Sequence, residues 1–297
     1  MKNSSTRPLP PWGTRTALLL AALALAACSA VRFGYNHGEA LTWWWLDGYI
    51  DAYAEQKPWI RQRIDAAFDW HRRTQLDDYT ALLARTQKQV QHPVAKQELR
   101  GAYDDVRGRM RVIVDHLLPD LADLALALTP RQIDRIEEKF AAGNEKYRKD
   151  YLRGGLEDRQ RFRFKKVMDQ AEYWFGDFSR EQEAAIRRAS DARILDNEAW
   201  YAGRVHRQKT LLALLRRIQA EKPDREAAIA MLRAHADLVL EHGGGGAHEA
   251  YFLASRDGML TLAATIINMA TPEQRAHAVR RLQHWIDSFG ALNRQRR

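Results

Sequence analysis

The sequence predicts an all-α protein, a large bundle of about eight to ten helices behind a cleaved amino-terminal segment. Three observations predict it. Apolar residues recur at steps of three, four and seven along most of the chain, which places them on helical stripes. Nowhere do Val, Ile, Thr and aromatic residues alternate over several positions between turn signals, as a half-buried strand requires. A capping residue followed three places later by glutamine stands at the head of several predicted helices.

The first element is the amino-terminal segment. Residues 1–16 carry Lys2, Arg7 and Arg15 with no acidic residue, and an uninterrupted run of Ala and Leu follows from Ala17 to Ala27. This is the basic and apolar layout of a secretory signal, and the run falls short of the ~20 apolar residues that span a bilayer permanently. It closes on Leu25-Ala26-Ala27-Cys28, which resembles the bacterial lipobox at all four positions. The resemblance implies cleavage between Ala27 and Cys28, and a Cys28 that carries a thioether diacylglycerol and an amide-linked acyl chain such as palmitate. Each buried methylene contributes about 0.8 kcal/mol, so several chains on one residue anchor durably. Ser29 and Ala30 follow, with no Asp next to the cysteine to favour inner-membrane retention. The expectation is a lipid anchor in the outer membrane facing the periplasm, a tether over 28–38, and a single helical domain over 39–297.

The anchor changes what the composition means. Of 297 residues, 29% are charged and 45% apolar, too charged for a polytopic membrane protein and too apolar for a disordered chain. The single cysteine excludes an internal disulfide framework, a zinc knuckle and an iron–sulfur cluster. The formal charge of +9 includes three basic residues of the signal, so the mature chain carries +6. A periplasmic address turns that charge away from nucleic acid.

The remaining elements follow in order. Ile133, Ile136, Phe140, Tyr147 and Tyr151 share one predicted stripe, as do Phe164, Val167, Met168, Ala171, Trp174 and Phe175. Ile194, Tyr201, Val205, Leu212 and Leu215 form a third, and Val279, Leu282, Ile286 and Phe289 a fourth. Breaks are expected at Pro58, Pro93, Pro119, Gly143, Gly154-Gly155, Gly176, Pro223 and the Gly243–Gly246 run. The capping phrases are Leu128-Thr129-Pro130-Arg131-Gln132, Phe178-Ser179-Arg180-Glu181-Gln182 and Ala270-Thr271-Pro272-Glu273-Gln274, with a fainter copy at Tyr53-Ala54-Glu55-Gln56. In each, Thr or Ser accepts from a first-turn amide and Gln reaches back to the cap. Their uneven spacing marks a reused helix start, not a solenoid repeat of fixed period.

Two resemblances attach to these residues. The Thr-x-x-Gln phrases resemble, over five residues each, the motif of small periplasmic helical chaperones and stress sensors typified by Spy and CpxP; an ordinary capping box produces the same pattern. A wider resemblance is carried by the lipobox, Val31-Arg32-Phe33-Gly34-Tyr35-Asn36, Trp44-Trp45-Leu46-Asp47 with Tyr49, Asp69-Trp70-His71-Arg72-Arg73, and Asn144-Glu145-Lys146-Tyr147. Together they resemble an uncharacterised family of Gram-negative lipoproteins known only as a domain of unknown function. That resemblance implies a location and an all-helical fold, and no reaction.

Four places are candidates for function. Trp43, Trp44 and Trp45 point about 100° apart on a helix, so no single face buries all three. They belong either to a helix that touches the membrane interface or a partner, or to one surrounded by the bundle, which is the placement the sequence favours. Asp47, Asp51 and Glu55 would line one helical face, where they pair with arginines or, less simply, hold a divalent cation. Glu241, His242, His248 and Glu249 flank the four glycines; His242 and His248 are weak metal candidates on a frame that reads as a helix C-cap and a mobile turn. His277, Arg280, Arg281 and His284 read as the solvated side of the last helix, before the basic tail Arg294-Gln295-Arg296-Arg297. There is no Gly-x-Ser-x-Gly elbow and no phosphate-cradling loop, so neither a catalytic residue nor a cofactor is nominated. The expected function is a non-enzymatic, membrane-anchored lipoprotein that binds another envelope protein. A Spy-like holdase and a metal-dependent envelope enzyme are the alternatives.

Overall fold

The computed structural model describes residues 31–294 except Leu195, Gly244 and the side chains of His242 and Ala247. Ala27 and Cys28 therefore lie outside the described residues, as do residues 295–297. A helical turn over 31–36 leads into α1 (Gly38–Ile50), α2 (Lys57–Thr74), α3 (Leu76–Gln89), α4 (Lys96–Ala127), α5 (Pro130–Tyr151) and α6 (Leu156–Phe175). Then come α7 (Arg180–Asp191), α8 (Asn197–Glu221), α9 (Arg225–His242), α10 (Ala247–Met269) and α11 (Pro272–Arg294). Among the described residues there is no strand, and the eleven helices exceed the eight to ten expected.

Two unexpected breaks carry neither Gly nor Pro, one at Gln75 and one between Asp191 and Asn197. Gln75 separates α2 from α3 with φ −107° and ψ −30°, while its amide still bonds to the His71 carbonyl. Two expected breaks are absent. Pro119 lies inside the 32-residue α4, where a proline typically costs about 3 kcal/mol; burial of its neighbours Leu118 and Ala122 offsets that cost. Gly143 lies inside α5, facing Arg204 of α8. Ile194 also leaves its predicted stripe, because α8 starts only at Asn197 and the Ile194 side chain is exposed.

The capping phrases behave as predicted. Thr129, Ser179 and Thr271 each accept from the amide of the glutamine three residues on, and each receives that glutamine's Oε1 on its own amide. In the fourth copy Gln56 Oε1 accepts from the Tyr53 amide at 3.0 Å, half of a capping box without the hydroxyl.

Two cores result. One gathers Ile50, Ile60, Ala125, Leu128, Ile133 and Ile136, and the other Met168, Phe175, Ile186, Ile266, Ala270 and Leu282. Two of the four phrases lie beside each core, Tyr53–Gln56 and Leu128–Gln132 at the first and Phe178–Gln182 and Ala270–Gln274 at the second. The packing repeats in order: α1 lies on α2 and α5 as α6 lies on α7 and α11. The third helix of each half crosses over, α3 packing on α11 and α8 on α5. Leu212, Leu215 and Ile218 of α8 thus complete the first core, and Leu83 of α3 with Val90 the second. This reciprocal exchange interlocks the halves. Outside it, α9 is laced to α4 by ion pairs of Arg225 with Asp123, Arg233 with Asp115, and Arg111 with Asp237 and Glu241. Among the described residues no helix is long and apolar enough to cross a membrane.

Candidate functional site

The helical turn over 31–36 and α1 carry the aromatic cluster. The helix is apolar on nearly every side, and the three tryptophans divide between its faces. Trp43, Leu46 and Tyr49 pack against the first core, with the Arg61 guanidinium 4.5 Å from the Trp43 ring centroid. Trp44 and Trp45 point away and are 74% and 57% exposed. Phe33 and Leu41, also exposed, lie on the same side at positions 8 apart, and the His37 ring fills the interval against Phe33. The favoured expectation of a helix enclosed by the bundle is corrected: one ring of the three is partly enclosed, and two stand in an outward apolar stripe.

Sequence features hold this helix in place. At Gly38 an added Cβ would lie 2.5 Å from the Phe68 ring, so glycine lets α1 approach α2. The Tyr35 hydroxyl bonds to His71 Nδ1 at 2.9 Å, and His71 Nε2 bonds to the Tyr79 hydroxyl at 3.1 Å. Burial holds the His71 imidazole below its ordinary pKa, favouring the neutral ring. Arg72 is buried, lies over the Tyr35 ring at 4.9 Å, and donates to the Leu292 carbonyl near the chain's far end. Trp70 stacks on His116 at 3.7 Å. The segment Asp69–Arg73 is thus a latch between the 31–50 segment and the body. Asn144 and Tyr147 do similar work elsewhere: Asn144 bonds to Gln208 and Arg204 of α8, and Tyr147 stacks with Tyr201.

Beside the stripe runs an apolar groove of about 440 Å³, walled by Trp45 and Leu46 of α1, Trp59 and Phe68 of α2, and Leu117 and Leu121 of α4. At its edge Arg63 and Asp120 pair at 3.5 Å. Stripe and groove share Trp45 and form one continuous apolar end of the molecule.

The other candidates resolve differently. Asp47 and Asp51 do not form one acidic stripe with Glu55, because α1 ends at Ile50. Asp47 Oδ1 accepts from the Ala52 amide at 3.0 Å, and Asp51 takes a left-handed backbone with φ 48° and an exposed side chain. The side chain of His242 is outside the described residues; His248 lies 5.2 Å from the His206 ring, and Glu241 pairs with Arg111. Gly243 caps α9 at φ 59°, as read. Among the described residues no three His, Cys, Asp or Glu side chains are placed to hold a metal. His277 and Arg281 are not a solvated face: Arg281 lies 4.0 Å over the Tyr173 ring and donates to its carbonyl, and His277 packs by Gly176.

Sequence reasoning missed the glutamine pairing inside each core. Gln132 Nε2 donates to Gln56 Oε1 at 2.8 Å, and Gln56 Nε2 donates back at 3.4 Å. Gln182 and Gln274 do the same at 2.9 and 3.1 Å. The signal was available in the even number of copies.

A model of a family of unknown function, DUF6279, matches residues 48–236. No curated protein and no solved structure matches the chain.

Proposed function

Because the chain belongs to the DUF6279 family, whose function is unknown, its role rests on its own residues, and we propose that it is a non-enzymatic lipoprotein of the bacterial envelope. It is anchored through lipidated Cys28 in the outer membrane, faces the periplasm, and binds another envelope protein through its anchored end, in assembly or in a stress response. One observation carries the reading: the outward stripe of Phe33, Leu41, Trp44 and Trp45, continuous with the groove at Trp45 and Trp59, directly after the lipobox.

The physical argument is one of cost and place. Large aromatic side chains each contribute roughly 1.5–3 kcal/mol when buried, so a partner that covers two of them gains substantially. A groove lined by tryptophan, phenylalanine and leucine suits the apolar face of a partner helix. The lipid would hold this end near the bilayer, where the periplasmic segments of membrane proteins emerge.

Two measurements test the reading. Intact-mass analysis of the purified chain should show an amino-terminal Cys28 bearing diacylglycerol and a further acyl chain, and Cys28→Ala should remain unprocessed. A photocrosslinking residue at Trp44, expressed in cells, should give discrete protein adducts that the same probe at Trp200 does not. Adducts only to phospholipid at position 44 would mean that the stripe rests on the bilayer, and the partner reading would fail. A holdase resembling Spy could use the same apolar end. Suppression of client aggregation at substoichiometric amounts, lost in Trp44→Ser/Trp45→Ser, would favour it.

A further inference from the structure

A second groove, remote from the anchored end, lies over the second core. α6 and α10 both lean on α7, and between them is a cavity of about 720 Å³. That volume is within the range of about 300–1,000 Å³ usual for small-molecule sites. Its walls are mostly apolar, with Trp174 and Phe175 on α6 and Leu262, Ala263 and Ile266 on α10. Toward the start of α6 the lining adds Arg159, Arg163 and Lys166 beside Tyr151 and Phe162, joined by Arg193 from the segment between α7 and α8. Among the described residues that line the cavity there is no carboxylate.

The cations differ in how far they are already engaged. Arg159 pairs with Glu198 at 2.7 Å and donates to the Leu152 carbonyl, so it belongs to the wall. Lys166 is exposed, with Asp169 at 3.9 Å one turn along its own helix and the Phe162 ring 5.8 Å beneath its ammonium. Arg163 feels Asp191 and Tyr251. Arg193 lies alongside Gly258 of α10, and its buried Nε has no hydrogen-bond partner among the described residues. Burial lowers the pKa of both Arg163 and Arg193, and Arg163 lowers that of Arg193 further by repulsion. Two partly desolvated guanidinium groups that repel one another gain from an anion that both can reach, and the guanidinium fork suits carboxylate or phosphate oxygens. A smaller hollow of about 360 Å³ shares Arg193 and Met259 with the groove and adds Arg256, extending the basic end.

Length agrees with charge. At 1.5 Å per residue, the stretch of α6 from Arg163 to Phe175 runs about 18 Å. One leaflet of a bilayer, half of a hydrocarbon core of ~30 Å, holds acyl chains over about 15 Å. We propose that this groove is a binding site for a monoacyl lipid with an anionic head, its chain lying between α6 and α10 past Trp174 and its head between Lys166, Arg163 and Arg193.

The test uses the full lipidated chain in a neutral detergent, titrated with dibromostearate, whose bromines quench nearby tryptophan, and in parallel with its uncharged methyl ester. The acid should quench saturably, and Trp174→Phe should remove most of the quenched signal. The ester, and the acid on Arg163→Gln/Arg193→Gln, should bind about tenfold more weakly or worse. Ala263→Phe keeps every cation and fills the chain's path, so it should abolish saturable quenching even if the arginine variant fails to fold. Equal binding of acid and ester, quenching untouched by Trp174→Phe, or binding unchanged by Ala263→Phe would each overturn the proposal.

Discussion

Gln182 and Gln274, 92 residues apart, exchange hydrogen bonds in both directions, each amide donating to the other's Oε1. Each also caps its own helix and donates to the backbone two residues before its partner's cap, Gln182 to the Met269 carbonyl and Gln274 to that of Asp177. Gln56 and Gln132 repeat the exchange 76 residues apart, with Gln56 donating to the Ala127 carbonyl. A buried primary amide has two donors and an acceptor to satisfy, and here they are satisfied together. The pairs join helix starts head to head and set the register of each core.

Removing one member should therefore cost more than a lost cap. Gln274→Leu keeps approximate volume but strips the Thr271 amide, the Asp177 carbonyl and Gln182 of a partner. The expected loss is about 2–4 kcal/mol, combining a cap with a buried unsatisfied group. Urea unfolding of Gln182→Leu, Gln274→Leu and the double variant should show a double cost well below the sum of the singles. Additive costs would mean that the two glutamines act independently.

The three tryptophans should separate by direction. Trp43→Ala removes a ring packed on the first core and stacked by Arg61, and should cost about 3 kcal/mol in chemical denaturation. Trp44→Ser/Trp45→Ser should change stability by about 0.5 kcal/mol or less, as exposed positions do, while removing the partner contact proposed for the outward stripe. A large stability loss in the double variant would show that the outward stripe is part of the fold.

How much of this was legible depends on what each residue needed from elsewhere. Capping boxes are local, so Thr129, Ser179 and Thr271 were readable as helix starts. The cap uses only Oε1 of each glutamine, and the partner of Nε2 lies in a distant stretch that no local pattern specifies. The 100° step separated the directions of Trp43, Trp44 and Trp45, but a helix whose few polar residues Glu39, Thr42 and Asp47 form no single stripe does not say which side is out. Gly38 against Phe68 and Tyr35 against His71 decide it, and both are tertiary facts. Pro119 was misread because the packing of Leu118 and Ala122 overrides a proline's local cost. The resemblance of Leu25–Cys28 to a lipobox rests on sequence alone, because those residues lie outside the described ones.

Glycine at position 38 should be hard to replace. Gly38→Ala would place a methyl 2.5 Å from Cε1 of Phe68 and force either the ring or α1 to move. Overpacking of this kind typically costs 1–3 kcal/mol, so a loss of about that size is expected in thermal unfolding. Phe68→Leu in the same chain should recover part of it, because the shorter side chain vacates the space. Absence of recovery would place the strain elsewhere.

Acidification should loosen the latch. His71, His235 and His277 all have pKa values lowered, burial being the first cause in each, with Arg281 and Arg280 adding to the effect at His277. The unfolded value is about 6.5. Below it the unfolded chain binds more protons than the folded one, so stability is full above about pH 6.5 and falls as pH drops through and below that value. For His71 the added charge would sit between Tyr35 and Tyr79 in a partly desolvated site beside the Arg72 guanidinium. The melting temperature should therefore drop between about pH 7.5 and about pH 5.5. His71→Gln, which cannot titrate, should be less stable at the upper pH and lose less on acidification; the remaining drop belongs to His235, His277 and other groups. If the variant lost as much as the wild type, protonation of His71 would not be what loosens the latch on α1.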